Sequence, residues 1–161
     1  MDASTNPSLL IAKDFDAIEF GFNWPPLDVT DDKALMGLIR DYLKHEVPWK
    51  FRFAALEADR LRAEGKKLLV WTSFVGNIAA LSKVLNSFSP AVVHGGVDQH
   101  TREREIERFR TDPECSVLIT NPQTLGEGIS LHMDCHDAIY IDRTYNAGMY
   151  LQSIDRIHRL G

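Results

Sequence analysis

Gln152, Arg156 and Arg159 recur at helical spacing near the end of this 161-residue chain, and their side-chain types suit them to grip a phosphate group. At about 100° per residue they share roughly 60° of arc, with Leu151, Ile154 and Ile157 on the opposite side. A guanidinium stays charged at any physiological pH, and its rigid fork of donors matches phosphate oxygens better than an ammonium does. An isolated pair of arginines at this spacing would read as the solvated face of an amphipathic helix, pairing with Asp155 or Asp142. Upstream lies Gly126-Glu127-Gly128, where glycine permits backbone angles that bring N–H groups close to an anion. Taken alone, that segment is also a plain tight turn between strand and helix. Ser73, Thr120 and the amides of Gly95 and Gly96 stand where strands should end, and they are suited to hydrogen-bond phosphate oxygens. Serine and threonine at such positions also serve simply as caps and turn formers.

Other chemistries are excluded or disfavoured. Gly65-Lys66-Lys67 lacks the earlier glycine and the following Ser or Thr of a phosphate-cradling loop. His132-x-x-Cys135-His136 offers zinc-type donors at a spacing that matches no common paired zinc pattern, so packing beneath the sheet is expected and no metal site. A net charge of -5 argues against nucleic-acid binding through bulk positive charge, so any such contact must be local. Two cysteines, Cys115 and Cys135, imply no disulfide framework and a reducing compartment. No run of about 18 apolar residues is present. The length and the 44% hydrophobic content suit one domain with its own core.

The elements that must position these residues follow from periodicity. Residues 1 to 30 predict a short helix from Pro7 to Lys13 and then loop. Thr30 with Asp31 and Asp32 predicts a helix start, with Leu35, Leu38, Ile39, Tyr42 and Leu43 at helical spacing. Pro48 opens another helix, carrying Phe51, Ala55, Leu56 and Leu61 to a stop at Gly65. From Lys67 strands and helices alternate: strand at Leu68 to Thr72, helix at Ile78 to Phe88, and strand at Ala91 to His94. A helix from Gln99 to Arg110, capped by Asp98, and strands at Cys115 to Thr120 and Ala138 to Ile141 follow. The last helix starts near Ala147. This pattern predicts an α/β three-layer sandwich with a mainly parallel sheet, displaying Ser73, His94, Thr120 and Asp142 at the carboxyl ends of its strands. Arg102 is expected to be structural, beside Glu105 and Ile106. Trp24, Trp49 and Trp71 are expected to be core or interlobe anchors.

In order along the chain, these segments resemble the C-terminal motifs of superfamily two helicases, and among them the Swi/Snf-type translocases. Lys67 to Phe74 is similar to the fourth motif. Val93-His94-Gly95-Gly96 with Arg102 and Phe109 is similar to the segment after it. Val117 to Thr120 leading into Gly126 to Leu131 is similar to the fifth, and Gln152 to Gly161 to the sixth. The resemblance implies the second of two RecA-like lobes over residues 66–161, ending within the sixth motif, with residues 1–65 as a helical connecting segment. It implies ATP hydrolysis with Mg2+, both bound mainly by a first lobe of the same polypeptide, so that this chain alone would be inactive.

By the same resemblance, Arg156 and Arg159 take the arginine-finger positions, Gly126, Gly128 and Gln152 belong to nucleotide binding, and Ser73, Gly95, Gly96 and Thr120 hold the nucleic-acid backbone. The expected partner is nucleic acid, specifically double-stranded DNA, with no membrane. The expected location is the cytoplasm, or the nucleus in a eukaryote. Glu127 and Ser130 stand where relatives commonly carry Gly and Asn, and Ala147 where many carry Pro, which favours a bacterial relative. Two rival readings are a non-catalytic regulatory or binding module of RecA-like fold, and an RNA helicase lobe or nuclease-coupled motor. Retention of Gln152, Arg156 and Arg159 counts against the first.

Overall fold

The computed structural model of the protein describes residues 46–125, 131–142 and 146–157. Four strands, β1 (Leu68–Trp71), β2 (Ala91–Val93), β3 (Val117–Thr120) and β4 (Asp137–Tyr140), form one sheet in the order β2-β3-β1-β4, and every neighbouring pair is parallel. Helices α1 (Trp49–Ala63), α2 (Val75–Val84), α3 (Gln99–Thr111) and α4 (Ala147–Asp155) surround it. The central strands read Leu-Leu-Val-Trp and Val-Leu-Ile-Thr and are buried at every position, because a parallel sheet covered on both sides leaves no polar face.

Alternation along each strand divides the interior into two cores. Leu68, Val70, Val117 and Ile119 face Phe51, Ala54, Ala58 and Leu61 of α1 and Ile78 and Leu81 of α2. Leu69, Trp71, Ala91, Val93 and Leu118 face Ile106 and Phe109 of α3, together with Leu125, Leu131 and Cys135 from the β3–β4 connection. The three layers predicted from the strand–helix alternation are therefore present.

Local chemistry sets the element boundaries. Gly65 has φ +70, a left-handed angle that favours glycine. Its N–H reaches the Arg62 carbonyl at 3.0 Å while Lys66 N–H reaches Leu61 at 2.8 Å, closing α1 with paired backbone bonds. At the start of α3 the Asp98 carboxylate accepts from Thr101 N at 3.0 Å, as its position predicts, and this bond lowers its pKa. Lys67, just ahead of β1, points its ammonium at the carbonyls of Phe109, Asp112 and Cys115, beneath the Phe109 ring. One side chain thus satisfies carbonyls at the end of α3 and ties that helix to the sheet.

Several boundaries differ from the sequence reading. The helix expected from Ile78 begins at Val75 and ends at Val84, with a separate 3-10 turn over Asn86–Phe88. Gly76 and Asn77 are weak helix formers, but Asn77 is held by a tertiary hydrogen bond to Asp142. The chain cannot continue helically because Ser89 is left-handed at φ 47 and Pro90 follows, both steadied by Arg108 on their carbonyls at 3.0 and 2.8 Å. Strand β4 lies one residue earlier than expected. On α1, Leu56 is 69% exposed, since it stands about 140° around the helix from Phe51, and Ala54 and Ala58 complete the inner stripe with Phe51 and Leu61. Among the three tryptophans, Trp71 is core and Trp49 is exposed. The elements expected within residues 1–45, and Trp24, lie outside the described residues.

Two consequences can be measured. Replacing Lys67 by Met leaves carbonyls at the end of α3 without their charged donor, and should lower unfolding free energy in urea by about 2 kcal/mol. Burial pushes the Cys135 thiol up from 9.0 to about 11, and its Sγ donates to the Lys67 carbonyl at 3.2 Å. A thiol whose folded pKa is raised stabilises the fold below pH 9, and that contribution is lost as pH rises through about 11. Folded protein at neutral pH should therefore react with thiol reagents only as fast as it opens, whereas urea-unfolded protein should react at once.

Candidate nucleotide and nucleic-acid interface

The candidate residues collect at the carboxyl ends of the strands because all four strands run the same way. In sheet order, β2 leads to His94-Gly95-Gly96, β3 to Asn121–Leu125, β1 to Thr72-Ser73 and β4 to Ile141-Asp142. Gly95 and Gly96 are exposed and Ser73 is partly so. A Cβ added at Gly95 would stand 3.7 Å from Thr124 Oγ1, so the loops after β2 and β3 touch there. Arg102 reinforces the contact with long hydrogen bonds to the Val97 and Thr124 carbonyls at 3.4 and 3.5 Å, a more distant role than the neighbour contacts expected for it on α3.

Two of the expected phosphate donors are otherwise engaged. Thr120 is fully buried, and its hydroxyl donates to the Asn121 carbonyl at 3.4 Å, because the strand end on which it sits is roofed by the following turn. The Gly96 N–H donates to His94 Nδ1 at 3.1 Å, so the imidazole folds back over the glycine turn. Gly95 makes no hydrogen bond among the described residues.

Helix α4 is seated by its polar side. Ser153 is 3% exposed, its Oγ lies 2.5 Å from the Tyr140 hydroxyl and it donates to the Tyr150 carbonyl at 2.7 Å. The Tyr140 ring sits between Tyr150 at 5.2 Å and Trp71 at 6.2 Å, and Leu131 N–H closes on the Arg156 carbonyl at 2.9 Å. Leu151, expected on the inner side, is 60% exposed: Tyr140 supplies a hydroxyl that a buried serine satisfies and a leucine could not. Gln152 is exposed on α4, whereas Arg156, partly exposed, lies in the turn just past Asp155, the last residue of that helix. Gly126, Gly128 and Arg159 lie outside the described residues.

The group that sequence reasoning placed at this edge without giving it work is Asp142. It is 4% exposed, and its Oδ1 accepts from Ser73 N at 2.5 Å while its Oδ2 accepts from Asn77 Nδ2 at 3.1 Å and from the Thr72 hydroxyl. An Asp following an apolar strand was the available signal, but its donors are about 70 residues away in the chain and no periodicity reveals them. With both oxygens so occupied, Asp142 is unsuited to hold a magnesium ion, and among the described residues no group of three or more His, Cys, Asp or Glu could hold a metal. Cys135 turns inward to backbone carbonyls and His136 is exposed, so the zinc-type donors do not converge.

A parallel sheet with helices on both faces and its loops gathered at the carboxyl edge defines a RecA-like α/β lobe. Residues 50–161 match the model of the helicase conserved C-terminal domain, and the chain belongs to that family. It is 29% identical over 130 residues to the DNA repair protein rad8 of Schizosaccharomyces pombe, covering 72% of this chain and 11% of that protein. It is 31% identical over 114 residues to Helicase SWR1 of Eremothecium gossypii, covering 70% and 8%. The chain thus spans about a tenth of the length of these relatives. In three dimensions it resembles the C-terminal part of the Fun30 ATPase domain, with a TM-score of 0.56 at 15% identity over 98% of this chain and 58% of that one. The C-terminal domain of a Sulfolobus solfataricus SWI2/SNF2 ATPase gives a TM-score of 0.50 at 23% identity, over 60% and 43%. Both likenesses concern the fold. The bacterial leaning drawn from Glu127 and Ser130 finds no support, since these curated relatives are fungal.

The Tyr140–Ser153 contact should act as a unit. Ser153→Ala leaves a part-buried hydroxyl without its partner and should cost about 1 to 2 kcal/mol in urea unfolding, as should Tyr140→Phe. The double variant should lose clearly less than the sum of the two single losses.

Proposed function

We propose that this chain is the C-terminal half of the motor of a Snf2-type ATP-dependent DNA translocase, with a nucleotide-binding first lobe supplied by the same, longer polypeptide. The observation that carries the reading is the seating of α4: Tyr140 and the Leu131 amide fix its inner side, leaving Gln152 exposed and Arg156 partly exposed. Family membership and relatives named as helicases and DNA repair proteins support it.

In this reading Arg156 and Arg159 reach the phosphates of ATP across the interlobe cleft, Gln152 hydrogen-bonds beside them, and the turn bearing Gly126 and Gly128 lies against the same nucleotide. ATP with Mg2+ supplies the phosphoryl group whose transfer develops charge on its oxygens, and fixed guanidinium charge answers that charge. Ser73 and the amides of Gly95 and Gly96 hold the backbone of double-stranded DNA. Thr120 supports the turn beneath them, and Gly96 takes part once His94 releases its N–H. Lobe closure then alters the grip once per hydrolytic cycle. No helix among the described residues is long and apolar enough to cross a membrane, and a nuclear or cytoplasmic location suits this activity.

In the polypeptide that carries both lobes, Arg156→Ala and Arg159→Ala should each lower steady-state ATP turnover by about 10³-fold or more. Full turnover in both variants would remove the arginine assignment. The isolated lobe should show no turnover above background, and duplex DNA should stimulate the two-lobe protein more than RNA does. The reverse preference would favour the RNA helicase alternative, and a two-lobe protein with no ATPase would favour the regulatory module.

A further inference from the structure

We infer that Asp142 is a positioning residue that holds in one register the strand ends facing nucleic acid and helix α4, which leads directly into Arg156. The inference rests on the reading proposed above and adds to it the route by which contact at one place is felt at the other. Three consecutive residues at the exit of β4 each lock a different part of the lobe. The Tyr140 hydroxyl meets Ser153 of α4 at 2.5 Å. Ile141 donates its N–H to the Trp71 carbonyl at 2.9 Å and accepts from Lys50 of α1, also at 2.9 Å. Asp142 takes Ser73 N–H, the Thr72 hydroxyl and the Asn77 amide, all from the turn between β1 and the first turn of α2.

A carboxylate is required there by its hydrogen-bond inventory. All three partners are donors, and an ionised carboxylate is acceptor-only, so both oxygens can be filled without conflict. Asparagine of the same size would turn an NH2 against one of those donors. Among the described residues no cation pairs with Asp142, and these three donors offset its removal from water. Such a group tolerates little relative movement of the two segments it joins. Displacement of the Ser73 turn by a phosphate backbone must therefore move the end of β4, and with it the Tyr140–Ser153 seat of α4.

The test uses the two-lobe polypeptide with Asp142→Asn and Thr72→Val, measuring kcat and KM for ATP with and without duplex DNA, alongside thermal unfolding. The expected result for Asp142→Asn is a loss of about tenfold in DNA-stimulated kcat, a smaller change in KM, and a reduced ratio of stimulated to unstimulated turnover. Thr72→Val keeps the Ser73 bond and should lose less of that ratio. An unchanged ratio would overturn the inference. So would an equal fall in both rates together with a lowered melting temperature, since that outcome assigns Asp142 to stability alone. If Asp142→Asn does not fold, the double variant Thr72→Val with Asn77→Ala decides by the same ratio. A wild-type protein without ATP turnover or without DNA stimulation would instead sink the proposed function, and the inference with it.

Discussion

A carboxylate withdrawn from water must be met by donors, and the carboxyl edge of this sheet is organised around one such group. Asp142 is 4% exposed and gathers a hydroxyl and a backbone amide from the connection between β1 and α2 and a side-chain amide from the first turn of α2. Leaving such a group unsatisfied costs several kcal/mol, far more than any single contact at the exposed loops contributes. The relative position of β1, β4 and the start of α2 is therefore set by a polar constraint, while the apolar cores beneath merely require that the layers meet. Thr72, expected only as the last residue of a strand, becomes part of this constraint.

The same logic explains how an acidic lobe uses its basic residues. Lys67 caps carbonyls at the end of α3, Arg108 steadies Ser89 and Pro90, and Arg102 bridges the loops after β2 and β3. Arg60 and Arg62 pair with Glu57, Glu64 and Glu114 at the surface, where such pairs contribute little. Much of the positive charge is thus committed to holding loops and helix ends in place. With a net charge of -5, a backbone-binding role would fall to amides, hydroxyls and a few local cations, and weak affinity with a shallow salt dependence follows from so few charged contacts.

Rigid sheet and adjustable loop divide the labour between them. The central strands are buried along their full length and pair in unbroken register, Leu68 through Trp71 against Val117 through Thr120, so they move as one body. The connections that follow them touch one another through few groups, as at Gly95 and Thr124. Helix α4 meets the sheet through the Tyr140–Ser153 hydrogen bond, and the turn after it is held by the Leu131 amide and by Ile157.

How much of this was legible in the chain depends on the range of the interaction concerned. Strand runs such as Leu68–Trp71, the Asp98 cap and the Gly65 stop rest on neighbours within a few residues, so local pattern identified them, and the ordered motifs identified the family. The inner face of α4 was misjudged because Ser153 is buried by a tyrosine 13 positions earlier, and Leu151 is exposed for the same reason. The burial of Thr120, the folding of His94 onto Gly96 and the extra turn at the start of α2 likewise depend on what tertiary packing brings near. Composition and periodicity determined which elements form and at which edge their loops gather. Only the folded chain decided which polar groups at that edge are consumed by one another and which remain at the surface, because a hydrogen bond between positions 73 and 142 leaves no trace in the local sequence of either.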